Sequence, residues 1–345
     1  MCIRDSSQTA LLIGKNPWQS NGFPRARISL RNISNDPSRN LIVIDPRVTE
    51  TAELADIHLR VKPGRDGWLL AAILGELVQQ DLIDHDWLAE HAQEHSDVID
   101  TLSDIPVADY AKFAGIPLGQ IKEVTEILGK TESLSVLEDL GIEMAPNSTL
   151  NSYQCVLLFL LTGNFAKKGA INLPSQLVSI FSADKISPER DESGFEINFK
   201  TTPVTGSRII SGLGPCNRLP DEILTEHPDR FRAMLIESAN PVHSLADASR
   251  MRESLDALDL VVVIDIAMTE TARQADYILP ASSQYEKPEM AFFNYEFPKN
   301  CAQLRAPLME PLPGTLPEPE IHARLLEAVD PFETAELELL KRAAS

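Results

Sequence analysis

The stretch VIDPRVTETAELAD occupies residues 43–56, and VIDIAMTETARQAD occupies residues 263–276. Compared over 43–59 and 263–279, the two segments are identical at ten of seventeen positions. The likeness extends upstream, where LLIGKNPWQS (11–20) corresponds to MLIESANPVHS (234–244). The copies lie about 220 residues apart, much more than the period of a solenoid repeat of roughly 20–50 residues. The sequence therefore predicts two copies of one supersecondary unit, and with them two similar sites.

Short apolar runs alternate with helical patterns around the first copy. Residues 9–14, 41–44 and 57–61 read as buried strands, because each run is apolar, short and closed by Gly or Pro. We expect Thr49 or Thr51 to cap the short helix that follows the second strand, and Asp66 to cap the long apolar helix after it. Strands alternating with helices at this spacing indicate a parallel sheet. The predicted fold class is α/β, with two Rossmann-like units whose mainly parallel sheets are related by the internal repeat.

The predicted domains follow from where the patterns begin and end. The first unit covers residues 8–230 and includes a polar, Pro- and Gly-rich insertion at 182–230; the second, incomplete unit covers 231–330. Residues 331–345 read as an acidic tail. The opening MCIRDSS resembles a translated sequencing adapter, and a strand pattern starts directly after it. We therefore expect residues 1–7 to be foreign to the natural protein, and residue 8 to be an internal position of a longer one.

The charge of the chain is strongly acidic but unevenly spread. The formal net charge is −20, which argues against DNA or RNA as a partner. Residues 8–66 nevertheless carry nine Lys and Arg against six Asp and Glu. A locally basic segment suits an anionic ligand near the first copy, although ordinary surface variation would give the same pattern.

Several common site types have no counterpart in the sequence. The four cysteines, Cys2, Cys155, Cys216 and Cys301, form no CxxC pair, so no zinc knuckle or iron–sulfur cluster is encoded in these residues. No GxGxxG joins the first strand to a helix, and neither a P-loop nor a GxSxG motif occurs. No apolar run approaches the ~18 residues needed to span a membrane. A nicotinamide enzyme, a P-loop nucleotidase and a serine hydrolase are therefore disfavoured.

The repeated polar residues fall where α/β proteins bind ligands. Asn16-Pro17 and Asn240-Pro241 each follow one strand, and Asp45 and Asp265 each end the next. Ligands of open α/β sheets bind at the carboxyl ends of the strands. An Asp there can accept hydrogen bonds from a ribose or from base N–H groups. Each Asp alone is equally compatible with a helix cap or a turn; the recurrence of the whole constellation favours a functional role.

Several motifs together carry a resemblance to a known family. GKNPWQS, VIDPRVTETAELADIHLRVKPGRDGWLLAAIL, LLTGNFAKKGA, IESANPVHS, VIDIAMTETARQADYILP and ASSQYEKPEMAFFN occur in this order. Over about residues 8–330 the chain resembles the middle of the catalytic subunit of bis-molybdopterin-guanine-dinucleotide oxidoreductases. That is the dimethyl-sulfoxide-reductase family, and the formate-dehydrogenase-like branch looks nearest. The resemblance implies a Mo or W atom held by two pterin guanine dinucleotides, one for each copy of the repeated unit.

The family's cofactor contacts can be carried onto matching positions of this sequence. The positions implied for the first guanosine side and its loop are Gly14, Asn16, Ser20, Asp45, Pro46, Arg47 and Thr49. Gly64 and Asp66 match a further contact before the long helix, and Leu140, Gly141 and Met144 match the loop beside the other pterin. The positions implied for the second guanosine side are Asn240, Ile264, Asp265 and Thr269. Glu286 falls in the family's acidic position after LPASS, and its role stays open.

Three parts that the family places elsewhere have no counterpart in these residues. They are the N-terminal Cys cluster of iron–sulfur members, the metal-ligating Ser, Cys, selenocysteine or Asp, and the C-terminal barrel-like domain. We therefore expect this chain to be the middle fragment of a Mo/W oxidoreductase catalytic subunit that is inactive alone, with its catalytic residues unknown and no metal ligand of its own. Two alternatives remain: a pterin-free scaffold subunit of the same fold in a respiratory complex, and an unrelated nucleotide-binding α/β protein.

The same resemblance implies partners and a location. The missing N- and C-terminal domains of the same protein would complete the site, and a possible iron–sulfur cluster would lie in the N-terminal one. We expect an electron-transfer subunit as a further partner, no nucleic acid and no membrane span. The expected location is the cytoplasm.

Overall fold

The computed structural model describes residues 7–20, 22–23, 25–171, 200–210, 212–291 and 302–329. The chain divides into two compact units, 1–176 with 294–301 and 177–293 with 302–345. The border predicted after residue 230 stays a prediction for the complete protein. In the described chain, residues 200–230 group with the second unit. The proposed foreign residues 1–6, most of the insertion before residue 200 and the tail lie outside the described residues.

The first unit is built on a parallel sheet of four strands in the order β3-β2-β1-β4. The strands are β1 Thr9–Ile13, β2 Asn40–Ile44, β3 Ile57–Leu59 and β4 Leu134–Glu138. The helices are α1 Pro17–Ser20, α2 Ala26–Ser34, α3 Asp66–Gln79, α4 His85–His91, α5 His95–Ser103, α6 Val107–Ala114, α7 Leu118–Lys130, α8 Leu140–Glu143 and α9 Ser148–Leu161. The three strands of the first copy each agree with the sequence prediction within two residues.

Alternating side chains of β1 enter two different cores. Leu11 and Ile13 pack on the face covered by α3 and α9, whereas Ala10 and Leu12 pack on the face covered by α2. All four are at least 97% buried. Successive side chains of a strand point to opposite faces, so a strand apolar at every position must be covered on both sides. Each fully buried aliphatic side chain contributes about 1.5–3 kcal/mol, and the two layers of helices supply that burial.

The second unit has a smaller parallel sheet of three strands in the order β5-β6-β7. The strands are β5 Ala233–Glu237, β6 Leu260–Asp265 and β7 Tyr277–Pro280, and a separate antiparallel pair is formed by β8 Glu289–Ala291 and β9 Gln303–Arg305. The helices are α10 Leu219–Leu224, α11 Pro241–Ser244, α12 Ala248–Asp256 and α13 Glu318–Val329. Val261 and Val263 of β6 pack with Met251 and Leu255 of α12. The opposite face carries Ile264, packed with α13.

The two sheets confirm the predicted fold class, because the repeated segments form the same units. In each, the first strand leads through a short Asn-Pro helix to a longer helix, and a second parallel strand pairs with the first. In each, the Thr-Glu-Thr-Ala segment then forms a single 3₁₀ turn before a third parallel strand. In the described part of the chain, no helix is long and apolar enough to cross a membrane.

The predicted helix caps are partly correct. Thr49 accepts a hydrogen bond from the Ala52 backbone N–H at 3.2 Å, as expected of a cap. The expectation that Asp66 caps α3 is wrong, because Arg65 occupies the cap position and Asp66 is already the first helical residue. Asp66 is buried instead, so its role has to be sought in its surroundings.

Candidate functional site

The carboxyl end of β1 is shaped by the close approach of two glycines. The Gly141 N–H donates to the Gly14 carbonyl oxygen at 3.0 Å, and Gly14 has a φ of +59°. A Cβ on Gly141 would lie 2.5 Å from that same oxygen, and one on Gly14 would lie 2.6 Å from the Ile142 nitrogen. Only glycine fits at either position, so the two predicted site residues are brought together at one edge of the sheet.

Asn16 is held by both ends of its amide. Its Nδ2 donates to Glu50 Oε2 at 2.9 Å, and its Oδ1 accepts from the Thr51 hydroxyl at 2.6 Å. The Thr51 hydroxyl, which is fully buried, also accepts from the Trp18 backbone N–H at 3.3 Å. The hydrogen bonds from its own backbone N–H and then from Asn16 lower the pKa of Glu50. The loop after β1 is thereby fixed to the loop after β2.

The second unit repeats this network atom for atom. Asn240 Nδ2 donates to Glu270 Oε2 at 2.7 Å, and Asn240 Oδ1 accepts from the Thr271 hydroxyl at 2.7 Å. The Thr271 hydroxyl in turn accepts from the Val242 backbone N–H at 3.2 Å. The hydrogen bond from Asn240 is the largest effect that lowers the pKa of Glu270. The residues that are identical in the two sequence segments therefore form the same hydrogen bonds in both units.

The two strand-ending aspartates have equivalent positions and equivalent bonds. Asp45 Oδ1 accepts from the Arg47 N–H at 2.8 Å, and Asp265 Oδ1 accepts from the Ala267 N–H at 3.0 Å. Within the described ranges, the second oxygen of each carboxylate accepts no hydrogen bond. Both side chains are partly exposed. Each therefore presents one oxygen that can accept N–H or O–H donors from a ligand.

Smaller elements of the constellation also recur. The Ser20 and Ser244 hydroxyls donate to the carbonyl oxygens of their own Asn-Pro loops, at 3.0 Å in both units. Thr269 accepts from the Ala272 N–H at 3.1 Å, as Thr49 does from Ala52. At the opposite end of the middle strands, Asp56 accepts from the Leu41 N–H and Asp276 from the Val261 N–H, both at 2.7 Å. The second strand of each unit is thus fixed at both ends.

The loop of α8 lies beside a second group of predicted residues. Leu140 and Met144 are 65% and 77% exposed, so they offer apolar surface next to the glycine contact. A Cβ on Gly64, whose φ is +73°, would lie 3.4 Å from Pro146, so the turn before α3 meets this loop. Asn151 holds the loop by donating to the Ile142 and Pro146 carbonyl oxygens at 3.4 and 3.3 Å.

Asp66 is the buried carboxyl group of this edge. Its desolvation, and then the charge of Asp45, raise the pKa of Asp66 above its ordinary value. Asn151 Oδ1 and Gln154 Oε1 are buried and accept no hydrogen bond from the described residues. A Cβ on Gly67, the residue after Asp66, would lie 2.9 Å from that Asn151 oxygen. Perturbed acids and orphaned polar atoms gather at functional sites more often than elsewhere.

Ile264, a predicted position, and Glu286, whose role the sequence left open, are both held by contacts within the second unit. The Ile264 side chain is fully buried in the core with Ile321, and its carbonyl oxygen accepts from the Ser238 N–H at 3.0 Å. Glu286 accepts from the Ser283 and Leu312 backbone N–H groups at 2.7 and 3.0 Å, which ties two loops of the second unit together. Among the described residues, no three His, Cys, Asp or Glu side chains converge as metal ligands would.

Sequence reasoning missed the two residues that fix each asparagine. Glu50 and Thr51, with Glu270 and Thr271, belong to the repeated Thr-Glu-Thr-Ala, but their partners lie 30–35 residues away in the chain. The signal was that Asn and Thr-Glu-Thr recur together, which a single copy would not have shown.

The residues present suit a nucleotide that carries an apolar ring system. In each unit, the strand-ending carboxylate, Asp45 or Asp265, can accept hydrogen bonds from base or ribose donors. At the end of β1, the absence of side chains on Gly14 and Gly141 leaves the backbone accessible. Leu140 and Met144 suit a flat, partly apolar group. The same edge of a parallel sheet is where α/β proteins bind such ligands.

Several known proteins are similar to most of this chain. A family model described as "Molybdopterin oxidoreductase" matches residues 4–307. The chain is 27% identical over 297 residues to the F420-dependent formate dehydrogenase 1 subunit alpha of Methanococcus maripaludis, covering 82% of this chain and 42% of that protein. It is 26% identical over 292 residues to formate dehydrogenase H of Escherichia coli, covering 81% and 40%.

A nitrate reductase of Synechocystis is 27% identical over 310 residues, covering 83% of this chain and 42% of its own length. The chain thus spans about two fifths of the length of these relatives. Among solved structures, acetylene hydratase from Pelobacter acetylenicus matches with a TM-score of 0.76 and 21% identity, over 94% of this chain and 48% of that one. At that identity the match concerns the fold alone.

Proposed function

The chain belongs to the molybdopterin oxidoreductase family, and from this premise we propose that it holds two molybdopterin guanine dinucleotides, one at the carboxyl edge of each parallel sheet. It would then be the middle part of the catalytic subunit of a Mo- or W-dependent oxidoreductase of formate-dehydrogenase-like type. The cofactor, when bound, supplies two-electron redox chemistry at the metal. Substrate, metal and a possible iron–sulfur cluster belong to the complete protein.

One observation carries the proposal: the same hydrogen-bonded constellation occurs at both strand ends. Two sites with the same acceptor geometry suit two copies of one ligand. The Asn16 and Asn240 networks hold each loop in place before a ligand arrives, so little ordering entropy is spent on binding. Asp45 and Asp265 would accept hydrogen bonds from the guanosine ends. A scaffold without cofactor has no need for two preserved carboxylates with one free oxygen each.

The other residues would bind and orient. Gly14 and Gly141 would let the ligand approach the backbone at the end of β1. Leu140 and Met144 would cover a pterin ring and exclude water from one side of it, and Asp66 would face the same edge. An electron-transfer subunit as partner and a cytoplasmic location are part of the same proposal; the relatives named subunit alpha support the first of these.

The test is the cofactor content of the complete protein, expressed from its own locus in a host that makes the cofactor. We expect Mo or W near one per chain, and close to two guanosine monophosphates per metal after acid hydrolysis. The variants Asp45→Asn and Asp265→Asn should each lower the guanosine yield, and Asp86→Asn, an exposed acid on α4, should not. A protein with neither metal nor guanosine would support the scaffold alternative instead.

A further inference from the structure

The two copies of the site share their hydrogen bonds but not their charge. The paired strands match Lys15 with Ala239, Arg47 with Ala267 and Arg60 with Pro280, so three cations that follow strands in the first unit are neutral residues in the second. Resting on the proposed function, we propose that the first site binds its dinucleotide mainly through the charge of the phosphates. The second site binds the same ligand mainly through apolar and backbone contacts.

The charge difference persists when all residues of the repeat are counted. Residues 11–20 and 43–62 hold four Lys and Arg and four Asp and Glu. The equivalent residues 235–244 and 263–282 hold one cation, Arg273, and four acids. Arg273 stands where the first copy has Glu53, beyond the strand end, and does not replace Arg47. The first copy is therefore neutral, whereas the second carries an excess of three negative charges that an anionic ligand must meet.

The cations of the first site differ in availability. Lys15 is nearly buried and forms an ion pair with Asp139, so its charge is largely compensated. Arg47 is exposed in the loop directly after Asp45, and Arg60 is exposed directly after β3. The charge of Arg47 also lowers the pKa of Glu50, and it is the smallest of the effects that do so. A guanidinium at such a strand end can form a bidentate pair with a phosphate.

The second site offers larger apolar side chains than the first at the corresponding positions. Ile266 and Met268, in the loop after Asp265, are 66% and 57% exposed. Their counterparts in the first copy are Pro46 and Val48, on either side of Arg47. Exposed large apolar side chains beside a ligand edge stabilise a ring or a ribose face by burial, which salt does not screen. Ligand binding at the first site should therefore weaken strongly as the ionic strength rises, whereas binding at the second site should depend on it much less.

The test uses GDP and guanosine as probes on single-site forms of this chain, by equilibrium dialysis at 50 and 500 mM salt. Asp265→Asn weakens the second site, so that binding reports on the first. Asp45→Asn weakens the first site, so that binding reports on the second. In the first site we expect GDP to bind about tenfold more tightly than guanosine at low salt, and most of that preference to vanish at high salt. In the second site we expect GDP to bind no more tightly than guanosine at low salt, because of the local excess of acids, and within about twofold of guanosine at high salt.

Reciprocal substitutions at one repeated position supply the matched control. In the Asp265→Asn background, Arg47→Ala should reduce the GDP preference about fivefold or more; in the Asp45→Asn background, Ala267→Arg should create one of similar size. Circular dichroism checks that each variant is folded. Equal probe ratios and equal salt dependence at both sites would overturn this inference and leave the proposed function standing. Failure of either site to bind either probe at millimolar concentration would overturn both.

Discussion

At the scale of single residues, the buried threonines Thr51 and Thr271 each join two groups of their loops through one hydroxyl. The Thr51 hydroxyl is donor to Asn16 and acceptor from Trp18, and Thr271 repeats both bonds. A hydroxyl that satisfies two half-buried or buried partners cannot be replaced by an isosteric methyl group without leaving both of them unpaired.

We expect Thr51→Val to lower the free energy of unfolding by about 1–3 kcal/mol, because the Asn16 oxygen and the Trp18 N–H lose their partner. Urea denaturation measures this loss. Thr101→Val is the control, since the exposed Thr101 hydroxyl only donates to a carbonyl oxygen of its own helix; it should change stability by less than about 0.5 kcal/mol. Equal losses in both variants would show that the network adds nothing.

For Asp66 we expect a substitution to raise the free energy of unfolding, which is the opposite of the effect expected for Thr51→Val. Its pKa is raised in the folded state by burial and by Asp45, so the unfolded chain ionises first as the pH rises. Stability is therefore lost from the ordinary pKa of Asp up to the raised one, and this loss persists at neutral pH. We expect Asp66→Asn to raise the free energy of unfolding at pH 7 while it weakens cofactor retention.

The matched control is Asp97→Asn, because Asp97 is also in the first turn of a helix but is exposed. The substitution removes the favourable interaction with the helix dipole and weakens one exposed hydrogen bond from the Ser96 hydroxyl at 3.4 Å, so the stability should fall slightly or stay unchanged. A fall in stability for Asp66→Asn would mean that Asp66 is ionised and usefully hydrogen-bonded in the folded protein, contrary to our expectation.

At the scale of elements, the contact between the end of β1 and the start of α8 tolerates no side chain. Gly141→Ala would place a methyl group 2.5 Å from the Gly14 carbonyl oxygen, which β1 cannot yield without breaking its pairing. We expect a loss of roughly 2–4 kcal/mol in the free energy of unfolding. Gly119→Ala, in α7 with open space around it, should instead gain about 0.5–1 kcal/mol. A Gly141→Ala protein as stable as the parent would contradict the close approach.

The segment 202–207 is held to α10 by one carboxylate. Glu222 is 1% exposed and accepts from the Val204 and Thr205 backbone N–H groups at 3.0 and 2.9 Å. Burial alone would raise the pKa of Glu222, but the hydrogen bonds from Thr202, Thr205 and the backbone outweigh it and lower the pKa to about 2. This interaction ties the segment 202–207 to α10, and Asp221 of α10 pairs in turn with Arg250 of α12 in the second unit.

A lowered carboxyl pKa contributes stability that is present above the unfolded value, near 4.5, and is lost as the pH falls towards 2. We expect Glu222→Gln to lower the free energy of unfolding by ~2 kcal/mol at pH 7 and by much less at pH 2. Unfolding curves at both pH values measure the difference. The same loss at both would show that shape, not charge, holds the segment.

At the scale of the whole molecule, the repeat explains how far sequence reasoning reached. Because the copies agree at strand ends, the sequence was sufficient to predict both sheets and the positions of Asp45 and Asp265. It was not sufficient to predict what Thr51 bonds, since that depends on the register between β1 and β2. Asp66 was misread as a cap because α3 begins one residue earlier than the pattern indicates. The glycine contact entered only through family resemblance, as β4 and β1 are about 125 residues apart.

The bonds made by Asp56 and Asp276 have a consequence for the order of folding. Each joins residues only 15 apart in the chain, and loops of about this length close on the order of 100 ns. The pairing of β1 with β4 must instead close a loop of about 125 residues, with a larger entropy cost. Asp56→Ala and Asp276→Ala should therefore slow refolding, with φ-values near 1, whereas Ser133→Ala should mainly speed unfolding. The two repeated segments are then two folding nuclei, and each can form before its sheet is complete.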